Sequence, residues 1–157
     1  MIRCVAVLIM IFVLIFSLIF NIYPQDKILN SLGEYKDYEY YSEGVFQDFT
    51  DYAKYYYDSV DFSSNEYFSK IGQSDMYDLN EHLDDFESWI ETYQNGDLTY
   101  EIVINYDFDR NIIDKEDYFY IYSEKHTWDD GNTSLVNYDV YIFDIQSNIL
   151  YYFHNNV

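Results

Sequence analysis

Asp78, His82 and Asp85 stand at spacings of four and three residues. On a helix those spacings bring two carboxylates and an imidazole to one side. Such a donor set suits zinc or manganese, so the three are the metal-ligand candidates of this chain. They flank an apolar stripe instead of lying within it, which is the usual place of solvated side chains. No metal site and no cofactor are therefore assigned. A second acidic run, Asp107-x-Asp109-x-Asn111, opens like a calcium loop. That loop needs Gly at its sixth position and Glu at its twelfth, where this chain has Ile112 and Tyr118.

Patterns for covalent or acid–base catalysis are missing. Gly72-x-Ser74 begins like a nucleophile elbow but lacks the closing Gly. His82, His126 and His154 are scattered, and the five glycines are too dispersed to cradle a phosphate. Paired acids such as Asp84 and Asp85 are too common in this composition to mark a general acid and base. The expectation is a protein that binds and does no chemistry. The alternatives are a metal-dependent enzyme or metal-binding accessory domain built on Asp78, His82 and Asp85, and a structural subunit of a membrane complex.

Tyrosine is the residue type that stands out, with 21 in 157 residues. Tyr38, Tyr40 and Tyr41 form one group, and Tyr55, Tyr56 and Tyr57 another. A helix cannot turn three successive residues to one face, so part of each group must be exposed or meet something else. Exposed Tyr offers contact area at low entropic cost. Tyr40, Tyr41, Tyr56 and Tyr57 are the expected partner surface. The formal net charge is −21. Nucleic acid is excluded as a partner, because phosphates would be repelled. A basic protein or peptide is the complementary one, as an accessory or immunity-like protein would have.

The elements that must carry these residues follow from periodicity. Residues 5–22 are apolar except for Ser17 and Asn21, and span about 27 Å as a helix. Their insertion into a bilayer is favoured by roughly 4–8 kcal/mol. Pro24 ends the run, and no small-x-small cleavage site follows it. The expected organisation is a transmembrane anchor over 1–23, a juxtamembrane spacer over 24–41 and an acidic α+β domain over 42–157. The expected location is a cell membrane, single-pass, with the C-terminal domain extracytoplasmic and the bilayer a partner through residues 5–22. Cys4 is the only cysteine, so the domain has no disulfide.

Three helix starts are expected, at Ser42, at Ser63 with its capping box to Glu66, and at Ser74. Behind Ser74, Met76, Leu79, Leu83, Phe86, Ile90 and Tyr93 make an apolar stripe that stops at Asn95-Gly96. The period then changes to two. Residues 98–108 alternate as a half-buried strand, and 118–124, 138–144 and 149–154 supply three more. The fold class expected is α+β, with two or three helices packed on a four-stranded antiparallel meander.

Overall fold

The computed structural model describes residues 27–45, 48–96 and 99–156. Chain contacts divide after Gly33. The first unit contains the short helix α1 (Lys27–Asn30), and the second, from Glu34 to Val157, carries every feature described below. In it six strands form one antiparallel sheet. They are β1 (Asp37–Val45), β2 (Asp48–Tyr56), β3 (Ser69–Lys70), β4 (Tyr118–Thr127), β5 (Thr133–Asp144) and β6 (Ile149–Asn156), in the spatial order β1-β2-β6-β5-β4-β3. Between β3 and β4 come α2 (Asp75–Gln94), α3 (Glu101–Asn105) and a 3-10 turn at Arg110–Ile112.

α2 starts where the sequence places it. Leu79, Leu83, Phe86 and Ile90 are buried along one side and share a core with Tyr52, Tyr138, Val140, Ile142 and Phe153 of the sheet. Burial of each such side chain stabilises the fold by roughly 1.5–3 kcal/mol. The opposite sheet face is covered in part by the connection after β2. Phe62 stacks on Tyr118 at 3.9 Å, and Phe68 and Tyr57 pack against Tyr141 and Phe143.

The expected four-stranded meander is corrected in three places. Residues 42–45 and 48–60 are no helix: the chain there completes β1 and forms β2, and β1 begins inside the expected spacer, at Asp37. β2 is covered on both faces, so Thr50, Asp51, Tyr52, Ala53 and Lys54 are all buried. That removes the alternation by which a strand is read. Residues 99–108 are no strand. Ile102 is buried and Ile104 exposed, although a strand would turn both to one face. The Asn105 side chain instead donates to the Glu101 carbonyl at 2.8 Å, closing a turn of α3. Ser63 starts no helix either. Its N–H donates to Asp61, and Asn65 accepts from the N–H groups of Tyr67 and Phe68, so local side-chain bonds win over helix.

The expected anchor over 1–23, with its apolar run 5–22, lies outside the described residues. Among the described residues no helix is long and apolar enough to cross a membrane. α2, the longest, bears Asp78, Glu81, Asp84 and Glu91. The expectations of a single-pass membrane protein, of the bilayer as partner and of extracytoplasmic placement are corrected to what the described residues show. That is an acidic, Tyr-rich α+β domain with a six-stranded sheet.

Candidate functional site

An α-helix with its side chains is about 10–12 Å wide, whereas strands lie about 4.8 Å apart. A single helix therefore covers about two strands. α2 lies over β5 and β6, and α3 lies against β1. The face of β4 on the helix side is left with no helix over it. Phe119, Ile121 and Ser123 alternate onto that face, and with Lys125 they line a cleft of about 400 Å³. α2 supplies the other wall with Asp75, Asp78 and His82, at i, i+3 and i+7. Tyr67 and Ser69 close the end beside β3.

His82 is the centre of this wall. Only 3% of it is exposed. Its Nδ1 lies 2.7 Å from the Asp78 carbonyl oxygen. A carbonyl can only accept, so Nδ1 carries the proton. Nε2 is buried and has no hydrogen-bond partner among the described residues. The ring also meets Tyr138 edge-on at 5.2 Å.

The remaining polar groups of the cleft are unequally occupied. Asp75 Oδ2 accepts the Gly72 N–H at 2.8 Å and so closes the start of α2. Lys125 is held by Glu81 at 2.7 Å. The Asp78 carboxylate is exposed and has no ion-pair or hydrogen-bond partner among the described residues. Ser69 and Ser123 line the cleft, but neither hydroxyl bonds to His82. No nucleophile–base pair is assembled there.

Asp85 is taken elsewhere. Its Oδ2 accepts from the Tyr138 hydroxyl at 2.9 Å and from Asn155 Nδ2 at 3.3 Å. Burial first, then the Asp85 charge, holds the Tyr138 phenol far above its usual pKa. The metal reading of Asp78, His82 and Asp85 is thereby overturned. The three do not converge, and among the described residues no group of three or more His, Cys, Asp or Glu could hold a metal ion.

The acidic run at Asp107 is also used in packing. Lys54, 8% exposed, is held by Asp107 at 2.8 Å and Glu39 at 2.9 Å. Burial alone would lower its pKa, but the hydrogen bonds to Asp107 and Glu39 prevail and raise it. Tyr52 adds a bond to Asp107 at 2.8 Å. Asp109 caps the following turn through the Asn111 N–H. On the opposite sheet face, His154 Nδ1 and the Tyr152 hydroxyl both lie 2.8 Å from Asp139 Oδ1, and Asp51 stands in register with His154.

The four tyrosines expected to form one surface are divided between the two faces of the sheet, as strand alternation requires. Tyr41 stacks on Tyr52 on the helix side, and Tyr56 bonds Glu39 there at 2.7 Å. Tyr57 is buried against Phe143 on the other side. Tyr40 is 47% exposed on β1, close to Tyr38 at 53%.

Sequence reasoning reached Asp78 and His82 but placed His82 among solvated side chains. It had a usable signal. Position 82 follows Leu79 by three and precedes Phe86 by four, which places it on the buried stripe. Phe119, Ile121, Ser123 and Lys125 had no such signal, because their role depends on where α2 stops covering the sheet. Comparison with known proteins finds no counterpart: no family model, no curated protein and no solved structure matches the chain.

Proposed function

We propose that this domain is a binding module that performs no chemistry, and that its ligand occupies the cleft between α2 and β4. The observation that carries this reading is the cleft itself, walled by Asp78 and His82 of α2 and by Phe119, Ile121 and Ser123 of β4. The volume falls within the range of small-molecule sites, about 300–1,000 Å³. Phe119 and Ile121 give it an apolar side, and the polar groups are few and convergent. The test is a small-molecule screen read by amide and imidazole NMR of the full chain. Perturbations should gather at His82, Phe119, Ile121 and Ser123. Hits that cluster away from α2 and β4, or that persist in His82→Phe, would refute the reading.

A second reading rests on β1. It is an outer strand nine residues long, with Tyr38 and Tyr40 exposed and Tyr35 packed beside Tyr38 at 5.6 Å. A long outer strand with exposed aromatics can accept an extended polypeptide as one more strand. A displayed library of extended peptides should be enriched by the chain and not by a Tyr38→Lys, Tyr40→Lys variant. Equal enrichment by both would dispose of this reading.

A further inference from the structure

We propose that β1 takes up an extended cationic peptide as a further strand of the sheet, one with Lys or Arg at alternate positions and β-branched or aromatic residues between them. The inference rests on the second reading above, that β1 accepts a strand, and adds the chemistry of that strand.

The backbone of β1 defines the docking line. Among the described residues β1 has a neighbouring strand on one side only, β2. In an antiparallel pair alternate residues turn their N–H and C=O to the partner, and the residues between turn theirs away. Tyr38 is of the second kind, because its N–H is met by the side chain of Asp37 at 2.9 Å. Tyr40, Ser42 and Gly44 follow it by alternation. Four residues thus present their backbone groups to the outer edge, and all four are exposed.

The two ends of the sheet differ in their protection. At the far end β3 is two residues long, and the part of β4 beyond it bears Lys125 and a shift of register between Glu124 and Lys125. Short strands, lysines and bulges are the usual guards against unwanted pairing. β1 is nine residues long and contains no Lys, Arg or Pro.

The charges of β1 choose among partners. Asp37, Glu39 and Glu43 alternate onto the helix side of the sheet with Tyr41. Glu39 is engaged by Lys54 and Tyr56, whereas Glu43 has no ion-pair or hydrogen-bond partner among the described residues. A second copy of the chain is opposed. Antiparallel pairing of two β1 edges centred on Tyr40 sets Asp37 against Glu43, and pairing centred on Tyr41 sets Glu39 against Glu43. Each copy also carries a net charge of −21. A strand with basic residues at alternate positions reverses the sign of these contacts, and its cations face Asp37 and Glu43. On the other face its apolar residues meet Tyr38 and Tyr40, with Tyr35 packed on Tyr38 at 5.6 Å.

The test titrates the full ¹⁵N-labelled chain with four capped nine-residue peptides. One alternates Lys and Val, one Glu and Val, and one Thr and Val. The fourth is the Lys–Val peptide fully N-methylated, which keeps the charge and loses every backbone N–H. Calorimetry reads affinity, and amide exchange reads the outer edge of β1. The Lys–Val peptide should bind and slow exchange at Tyr40, Ser42 and Gly44, while the Glu–Val and N-methylated peptides should do neither. Asp37→Asn with Glu43→Gln should weaken Lys–Val binding by about fivefold, the worth of two exposed ion pairs. Glu39 is left in place because it holds Lys54. Binding undiminished in that variant would overturn the proposal, and the comparison of peptides on the unaltered chain stands whether or not the variant folds. If the Thr–Val peptide binds and protects as well as Lys–Val, the choice of a cation falls and the strand-addition reading stands. If no peptide slows exchange at those three amides, or the N-methylated peptide binds as tightly as its parent, both fall.

Discussion

Lys54 offers the sharpest test of how the sheet and the connection after α3 are joined. Its ammonium is nearly closed to water between Asp107 and Glu39, whose side chains are 61% and 39% exposed. The cost of breaking this arrangement depends on which partner is removed. Lys54→Met leaves two carboxylates that retain water, and the Met stem fills most of the space. That change should cost about 1 kcal/mol, near the upper end for exposed pairs. The double change Asp107→Asn, Glu39→Gln leaves a buried ammonium without a counter-charge. It should cost about 3 kcal/mol, the lower end for a broken buried pair. The midpoint of thermal unfolding should fall by roughly 3–5 °C for each kcal/mol in a domain of this size. Urea unfolding at pH 7 of the chain and the two variants measures both costs. A loss in Lys54→Met equal to or greater than that of the double variant would refute the asymmetry. The same pair fixes a pH window. The folded pKa values of Glu39 and Asp107 lie below their ordinary 4.5 and 3.8; hydrogen bonding by Lys54 lowers the first, and in the second Lys54 and Tyr52 outweigh a burial effect that raises it. Their contribution is present above those ordinary values and is lost as pH falls through the lowered ones. The stability difference between the chain and Lys54→Met should therefore hold from pH 7 to about 5 and shrink below about pH 4. A difference that grows on acidification would contradict it.

Three further outcomes are expected. Asp85→Ala deprives the Tyr138 hydroxyl and Asn155 Nδ2 of their acceptor, and urea unfolding should show a loss of about 2–3 kcal/mol. Leu83→Ala opens a cavity where α2 meets the sheet and should cost about 2–5 kcal/mol, with a loss below about 1 kcal/mol arguing against the packing described. Gly44 has φ +156, and a Cβ there would come within 2.5 Å of Phe49 Cα; Gly44→Ala should cost about 1–3 kcal/mol and speed amide exchange along β1 and β2.

The sequence by itself determined what depends on one covered face. α2 is legible because Leu79, Leu83, Phe86 and Ile90 meet the sheet while Asp78, Glu81 and Asp84 meet water, which imprints the helical period. The strands at 118–124, 138–144 and 149–154 were legible for the corresponding reason, although β4, β5 and β6 all extend further. Where that contrast fails, the sequence is silent. β2 is covered on both faces, so residues 50–54 carry no alternation, and the hairpin with β1 reads as a helix. Residues 99–108 alternate in composition, yet Ile102 and Ile104 part company because only one of them finds a core to enter. The candidate site lay further still from view. Asp78 and His82 share a helix side by spacing alone, but Asp85 leaves them for Tyr138 and Asn155, contacts 53 and 70 residues away along the chain. The cleft exists because α2 is narrower than the sheet beneath it and stops short of β4. No local pattern encodes that mismatch, since it arises only when separately formed elements are laid on one another.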